Sequence, residues 1–188
     1  MSQDPVFFVG ARRTPMGAFQ GVLAPVSAPA LSAAACRAAL DDAGLNGAQV
    51  SEVLLGCVLP AGLGQAPARQ ASLGAGIPKS VPCTTINKVC GSGMKTTMLG
   101  HDLIAAGTAD IVLTGGMESM SNAPYLMPKA RSGYRMGHQE VLDHMFWDGL
   151  QNPYDGNMMG HFAEQTAQKY DFTREAQDEF AITSVTRA

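Results

Sequence analysis

The chain has 188 residues, of which 46% are hydrophobic, 15% charged and 6% aromatic, an ordinary globular composition that excludes a disordered or fibrous polymer. Its formal net charge is -3, and its longest basic run is Arg12-Arg13, so it carries no electrostatic footprint for nucleic acid or an anionic membrane, which favours small-molecule chemistry. No apolar stretch approaches the roughly 20 residues that cross a bilayer, and the N-terminal charges are in the wrong order for a signal peptide, so the expected compartment is the cytoplasm.

Residues 6–9 form a short apolar run closed by Gly10, and residues 53–59 form a second closed by Pro60. Each has the length of a buried strand. Between them Pro29 suits the first turn of a helix and Gly44 its stop, bracketing an alanine-rich segment able to pack closely on a sheet. The pattern then repeats: a short helix over 68–75, a strand over 84–88, a helix over 91–106 and a strand over 110–115. Such alternation predicts an α/β fold with a mostly parallel sheet flanked by helices.

From Met117 to Asn157 the chain holds Gly, Pro, Met and aromatic residues without a sustained period, and reads as a long loop with small elements of its own. Helical spacing returns at Met159, Phe162, Ala163, Thr166, Ala167 and Tyr170, and a further helix is expected to start near Thr173, whose hydroxyl suits an N-cap. That helix meets no stop signal, and Phe180, Ile182 and Val185 are left wanting a partner surface, so truncation or a missing companion chain is expected.

The four cysteines, at 36, 57, 83 and 90, form neither a C-x-x-C pair nor a dense disulfide frame, which predicts free thiols and no metal. Cys36, Cys57 and Cys83 lie in apolar settings and are expected to be buried. Cys90 differs, because Asn87-Lys88-Val89-Cys90-Gly91-Ser92-Gly93 puts it on a turn between a predicted strand and a predicted helix, as in a nucleophile elbow. Unpaired N–H groups and the helix dipole at such a place favour a thiolate. The same amides can receive the oxygen anion formed when a thiolate attacks a thioester, and the neighbouring glycines let a bulky thioester approach. The histidines at 101, 138, 144 and 161 have no partner visible in the sequence; His101 is expected to cap or pack within its helix, and the other three to be solvated or to bond within the loop region. The methionines read chiefly as adaptable filling.

The Cys90 segment, together with Gly115-Gly116-Met117-Glu118-Ser119-Met120-Ser121-Asn122, resembles the thiolase family. Further matches are Ala11-Arg12-Arg13-Thr14-Pro15, Pro67-Ala68-Arg69-Gln70-Ala71, Asp148-Gly149-Leu150 and Met159-Gly160, so the resemblance runs through essentially the whole chain. It implies an N-terminal α/β core over 1–118, a loop region over 119–157 that lines a substrate tunnel and supports oligomers, and helices over 158–188 that precede a second, similarly folded half. It also implies that Cys90 accepts the acyl group, and that coenzyme A thioesters are substrates with no permanently bound cofactor. Leu150, Met158 and Met159 match tunnel-wall positions, Met158 standing where many members carry His.

Within the family the wording Gly-Met-Glu-Ser-Met is similar to the acetyl-CoA acetyltransferase branch. The expected partners are therefore acetyl-CoA, acetoacetyl-CoA and coenzyme A, with a homodimer or homotetramer as the assembly. The Asn, the Gly-His-Pro histidine and the second cysteine that the family uses to complete the reaction are not found in this sequence, so the chain alone is expected to be inactive in full turnover. A longer-chain 3-ketoacyl-CoA thiolase, a condensing enzyme of the wider superfamily and a non-catalytic interaction subunit are the competing readings.

Overall fold

A computed structural model describes residues 5–187. The chain divides into two compact units, Met1–Gly149 and Leu150–Ala188. In the first unit the order is α1 (Ala28–Asp42), β1 (Glu52–Gly56), α2 (Pro67–Gly74), β2 (Cys83–Ile86), α3 (Ser92–Ala105) and β3 (Val112–Gly116), followed by two-residue strands β4 (Tyr125–Leu126) and β5 (Leu142–Asp143). β1 lies centrally, parallel to β2 on one side and to β3 on the other, with Leu55 opposite Thr85 and Gly115. β4 and β5 form a separate antiparallel pair.

The alternation of side chains along β1 sorts the core. Val53, Leu55 and, just beyond the strand, Cys57 join a cluster with Ala28, Cys36 and Leu40 of α1 and Ala68 and Ala71 of α2. Gly56 points the other way, towards Ser92 and Gly93 of α3. Because β1 is covered on both faces, Val53 through Gly56 are all buried, which explains why it reads as a continuous apolar run and not as an alternating one. α1 starts as expected, with Pro29 in its first turn and the Ser27 hydroxyl accepting the Ala30 N–H at 3.4 Å, and it stops at Gly44, whose φ of +65° suits a residue without a side chain.

The strand expected over 6–9 does not form. The segment is irregular, with Phe7, Phe8 and Val9 exposed, because an apolar run becomes a strand only by joining a ladder. A groove of about 480 Å³, lined by this segment, α1, α3 and β3, lies along it. Gly10 is pressed close to the body: a Cβ there would fall 2.5 Å from the Ala39 carbonyl oxygen. β1 also ends earlier than the sequence suggests, at Gly56: the Cys57 N–H still donates to the Ile86 carbonyl at 3.0 Å, but the Val58 and Leu59 amides leave the sheet for the Glu118 carboxylate. Of the three cysteines expected to be buried, Cys36 and Cys57 are, whereas Cys83 is half-exposed at the start of β2.

In the second unit α4 (Met159–Lys169) and α5 (Arg174–Arg187) follow a short loop. Thr173 caps α5 as its hydroxyl predicted, accepting the Ala176 N–H at 3.2 Å. Phe180, Ile182 and Val185 are exposed on that helix. No helix among the described residues is long and apolar enough to cross a membrane.

Candidate active site

Because β1, β2 and β3 are parallel, their C-terminal ends emerge on one side of the sheet, where open α/β sheets place their ligands. Three segments leave the sheet there: residues 57–59 after β1, 87–90 after β2 and 117–119 after β3. Glu118 ties the first to the third. Its carboxylate accepts the N–H groups of Val58 and Leu59, each at 2.9 Å, and lies 3.6 Å from the Cys57 sulfur. Burial first, and then the Glu118 charge, push the Cys57 thiol up to about 12, against an ordinary 9.0. Burial likewise raises Cys36. Neither is suited to nucleophilic work at neutral pH.

Cys90 is exposed. It stands immediately before Gly91, the N-cap of α3, the turn between strand and helix that its sequence context anticipated. The turn is tightly bonded. The Gly91 and Ser92 amides donate to the carbonyl oxygens of Lys88 and Val89, both at 3.1 Å. The Asn87 side-chain oxygen accepts the Val89 N–H at 2.9 Å, and the Ser92 hydroxyl accepts the Lys88 N–H at 2.8 Å while donating to the Val89 carbonyl at 2.6 Å. Val89 itself has φ +47°, a left-handed conformation that is unusual for a β-branched residue.

The floor beneath the turn is fixed by close backbone packing. A Cβ on Gly56 would sit 2.6 Å from the Ser92 Cβ and 2.9 Å from the Gly93 nitrogen, so β1 must carry glycine there for α3 to start where it does. One turn further on, the fully buried Thr96 hydroxyl accepts the Gly115 N–H at 3.1 Å and lies 2.8 Å from the Gly115 carbonyl oxygen, which locks α3 to β3.

The expected tunnel residues Leu150, Met158 and Met159 all belong to the second unit. Gln151 and Met158 form an antiparallel bridge, closed by the Asn152 N–H on the Asn157 carbonyl at 2.8 Å. Leu150, the residue before that bridge, and Met159, the first residue of α4, flank it on its two sides. Leu150 and Met158 are half-buried and Met159 is exposed.

Among the histidines, His101, His138 and His161 are exposed, with His101 beside Asp102 at 3.2 Å and His161 beside Gln165 at 3.0 Å. His144 is the loop-bonding one, and it is buried. Its Nδ1 lies 2.6 Å from the Asp148 carboxylate and its Nε2 accepts the Ala61 N–H at 3.4 Å, so it pins the loop after β1 to the turn at 146–150.

Two roles escaped the sequence reading. Glu118 and Ser92 were visible only as letters of a motif, because what each bonds to is a backbone group distant in sequence or folded back on itself. Asn87 had a usable signal: Asn two residues ahead of an amide is the ordinary Asx turn.

The chain matches the family model described as thiolase, N-terminal domain, over residues 6–188. It is 51% identical to an acetyl-CoA acetyltransferase of Pseudomonas aeruginosa over 183 residues, 97% of this chain and 47% of that protein. It is 52% identical to one of Cupriavidus necator, again over 97% of this chain and 47% of the relative. A Schizosaccharomyces pombe acetyl-CoA acetyltransferase is 49% identical over 100% of this chain and 48% of its own length. The chain thus spans about half the length of the curated relatives it matches. With a match covering all but its first residues, the chain belongs to the thiolase N-terminal domain family.

Proposed function

We propose that the chain is the acyl-accepting half of an acetyl-CoA C-acetyltransferase, with Cys90 as the nucleophile. The observation that carries this reading is the exposed Cys90 sulfur at the start of α3, at the C-terminal edge of a parallel sheet. It stands in a chain whose curated relatives bear the name acetyl-CoA acetyltransferase at about half identity.

In the proposed reaction the Cys90 thiolate adds to the carbonyl carbon of acetyl-CoA. The resulting oxygen anion is received by the backbone N–H of Cys90 itself, and collapse expels the coenzyme A thiolate and leaves an acetyl thioester on the protein. A second acetyl-CoA, having lost a proton from its methyl carbon, attacks that thioester. A carbon–carbon bond forms as the bond to Cys90 sulfur breaks, giving acetoacetyl-CoA; the proton removed balances the one taken up by the departing coenzyme A. Thiolysis is the same path reversed. The groups that move the methyl proton are not among this chain's cysteines and histidines as the family arranges them, so the reading assigns the chain acylation without full turnover.

Leu150, Met158 and Met159 are assigned to the wall of the acyl and pantetheine tunnel, supported by the Gln151–Met158 bridge, in or beside which all three lie. Assembly into a homodimer or homotetramer, in the cytoplasm and in the service of fatty acid metabolism, completes the reading. It is supported by the exposed Tyr125, Met127, Met136 and Trp147 in the loop region, apolar surface of the kind that neighbouring subunits cover.

The test is to incubate the chain with acetyl-CoA and read both coenzyme A release and the acetylated peptide by mass spectrometry. Acetylation confined to Cys90, and absent from Cys90→Ser, is expected; acetylation spread evenly over Cys83 and Cys90, or none, overturns the reading. Faster acylation by decanoyl-CoA than by acetyl-CoA would instead assign the longer-chain branch.

A further inference from the structure

The backbone just before Cys90 is held in a conformation it would not choose, and two side chains hold it. Val89, at φ +47°, occupies the left-handed region, where a β-branched residue is a genuine outlier. Such a conformation persists only where surrounding bonds over-determine it. Here they do. The N–H of Val89 is bound by Asn87 and its carbonyl by Ser92, while Ser92 also takes the Lys88 N–H. Ser92 in turn cannot retreat, being buried against the bare backbone of Gly56.

From this geometry we propose that Asn87 and Ser92 are positioning residues for Cys90. They clamp Val89 in its left-handed turn and thereby direct the sulfur to the exposed side of the α3 start. Neither side chain needs to touch a substrate; both act through the backbone. The proposal rests on Cys90 being the acyl acceptor for its meaning, but the geometric claim is read separately, by the reactivity of the sulfur towards a small alkylating agent.

The clamp makes a prediction that a merely stabilising pair of hydrogen bonds does not. Glycine adopts the left-handed region without penalty, so Val89→Gly removes the need for a clamp. A lost clamp should therefore be partly rescued by a second substitution that deletes side-chain atoms.

The experiment measures, in the full chain, the rate of Cys90 modification by iodoacetamide across a pH series, and acetylation by acetyl-CoA. The variants are Asn87→Ala, Ser92→Ala, Val89→Gly and Ser92→Ala combined with Val89→Gly. Protection of Cys36 and Cys57 from the same reagent monitors the core. Asn87 is exposed, so its replacement does not threaten folding. Expected are losses of about tenfold in Cys90 acetylation for each alanine variant, in keeping with the cost of a misaimed reacting group, a displaced pH profile of alkylation, and recovery in the double variant, with Cys36 and Cys57 still protected. Rates for Asn87→Ala within about twofold of the wild type, or a double variant no faster than Ser92→Ala alone, overturn the proposal. If alkylation responds as expected but acetyl-CoA labels nothing, wild type included, the clamp stands and the acetyltransferase reading falls.

Discussion

The carboxylate of Glu118 lies 3.6 Å from the sulfur of Cys57, and this pairing keeps a second thiol near the site out of the chemistry. Two causes act in one direction, since burial and the neighbouring charge both disfavour the thiolate. At neutral pH iodoacetamide should therefore modify Cys90 well before Cys57 or Cys36, as peptide mapping of partially alkylated chain would show. Modification of Cys57 at a rate matching Cys90 would contradict the burial and charge assigned to it.

The same pair sets an alkaline limit. The folded-state thiol of Cys57 titrates at about 12, above its ordinary 9.0, so the unfolded chain releases this proton first as pH rises. The stability associated with the protonated thiol is fully present below pH 9.0 and is lost progressively towards pH 12. Thermal melts of the wild type should fall through that window. Replacing Glu118 by Gln removes the charge and should bring the Cys57 titration down. It also leaves one amide oxygen where two carboxylate oxygens served Val58 and Leu59, at a cost of about 1–3 kcal/mol for a backbone donor left short of a partner. Urea unfolding at neutral pH measures that cost, and a variant as stable as the wild type would show that the loop after β1 does not depend on Glu118.

How far the sequence disclosed this arrangement differs from place to place, for physical reasons. α1, α2, α3 and their strands were legible because proline, glycine and apolar spacing act locally, and Cys90 was legible because its turn lies between two such elements. The residues at 6–9 misled because apolar character states that a segment wants cover and says nothing of whether a ladder partner exists. The Thr173 cap could be read from one hydroxyl, whereas burial of His144 could not, since its partners Asp148 and Ala61 come together only through the fold. The strained Val89 left no mark in the sequence at all; valine is the last residue that pattern alone would place at positive φ.

His144 supplies a separate test of the loop that follows β1. With Nδ1 beside the Asp148 carboxylate and Nε2 accepting from Ala61, both ring nitrogens are used. His144→Ala leaves the Ala61 amide without its acceptor and should destabilise the first unit by about 1–3 kcal/mol, whereas Asp148→Asn, whose amide oxygen still accepts from Nδ1, should cost less. Denaturant titration of the two variants ranks them. The reverse order would mean that the Asp148 charge, and not the ring's two-sided bonding, holds the loop.

Gly56 connects packing in the sheet to reactivity at the surface. Adding one methyl group there sets a Cβ 2.6 Å from the Ser92 Cβ and within 2.9 Å of the Gly93 nitrogen, and the second contact is backbone, which cannot rotate away. The start of α3 must then shift from β1. Gly56→Ala should cost about 1–3 kcal/mol, as overpacked cores do. Because the shift falls on Ser92, it should also slow Cys90 alkylation more than it disturbs Cys36. Gly100→Ala is the matched control: it too overpacks α3, against the Thr114 methyl at 2.6 Å, but at a distance from the turn. If the two variants lose equal stability and Cys90 slows only in Gly56→Ala, the strand-to-helix floor governs the nucleophile; equal slowing in both would assign the effect to general loosening of α3.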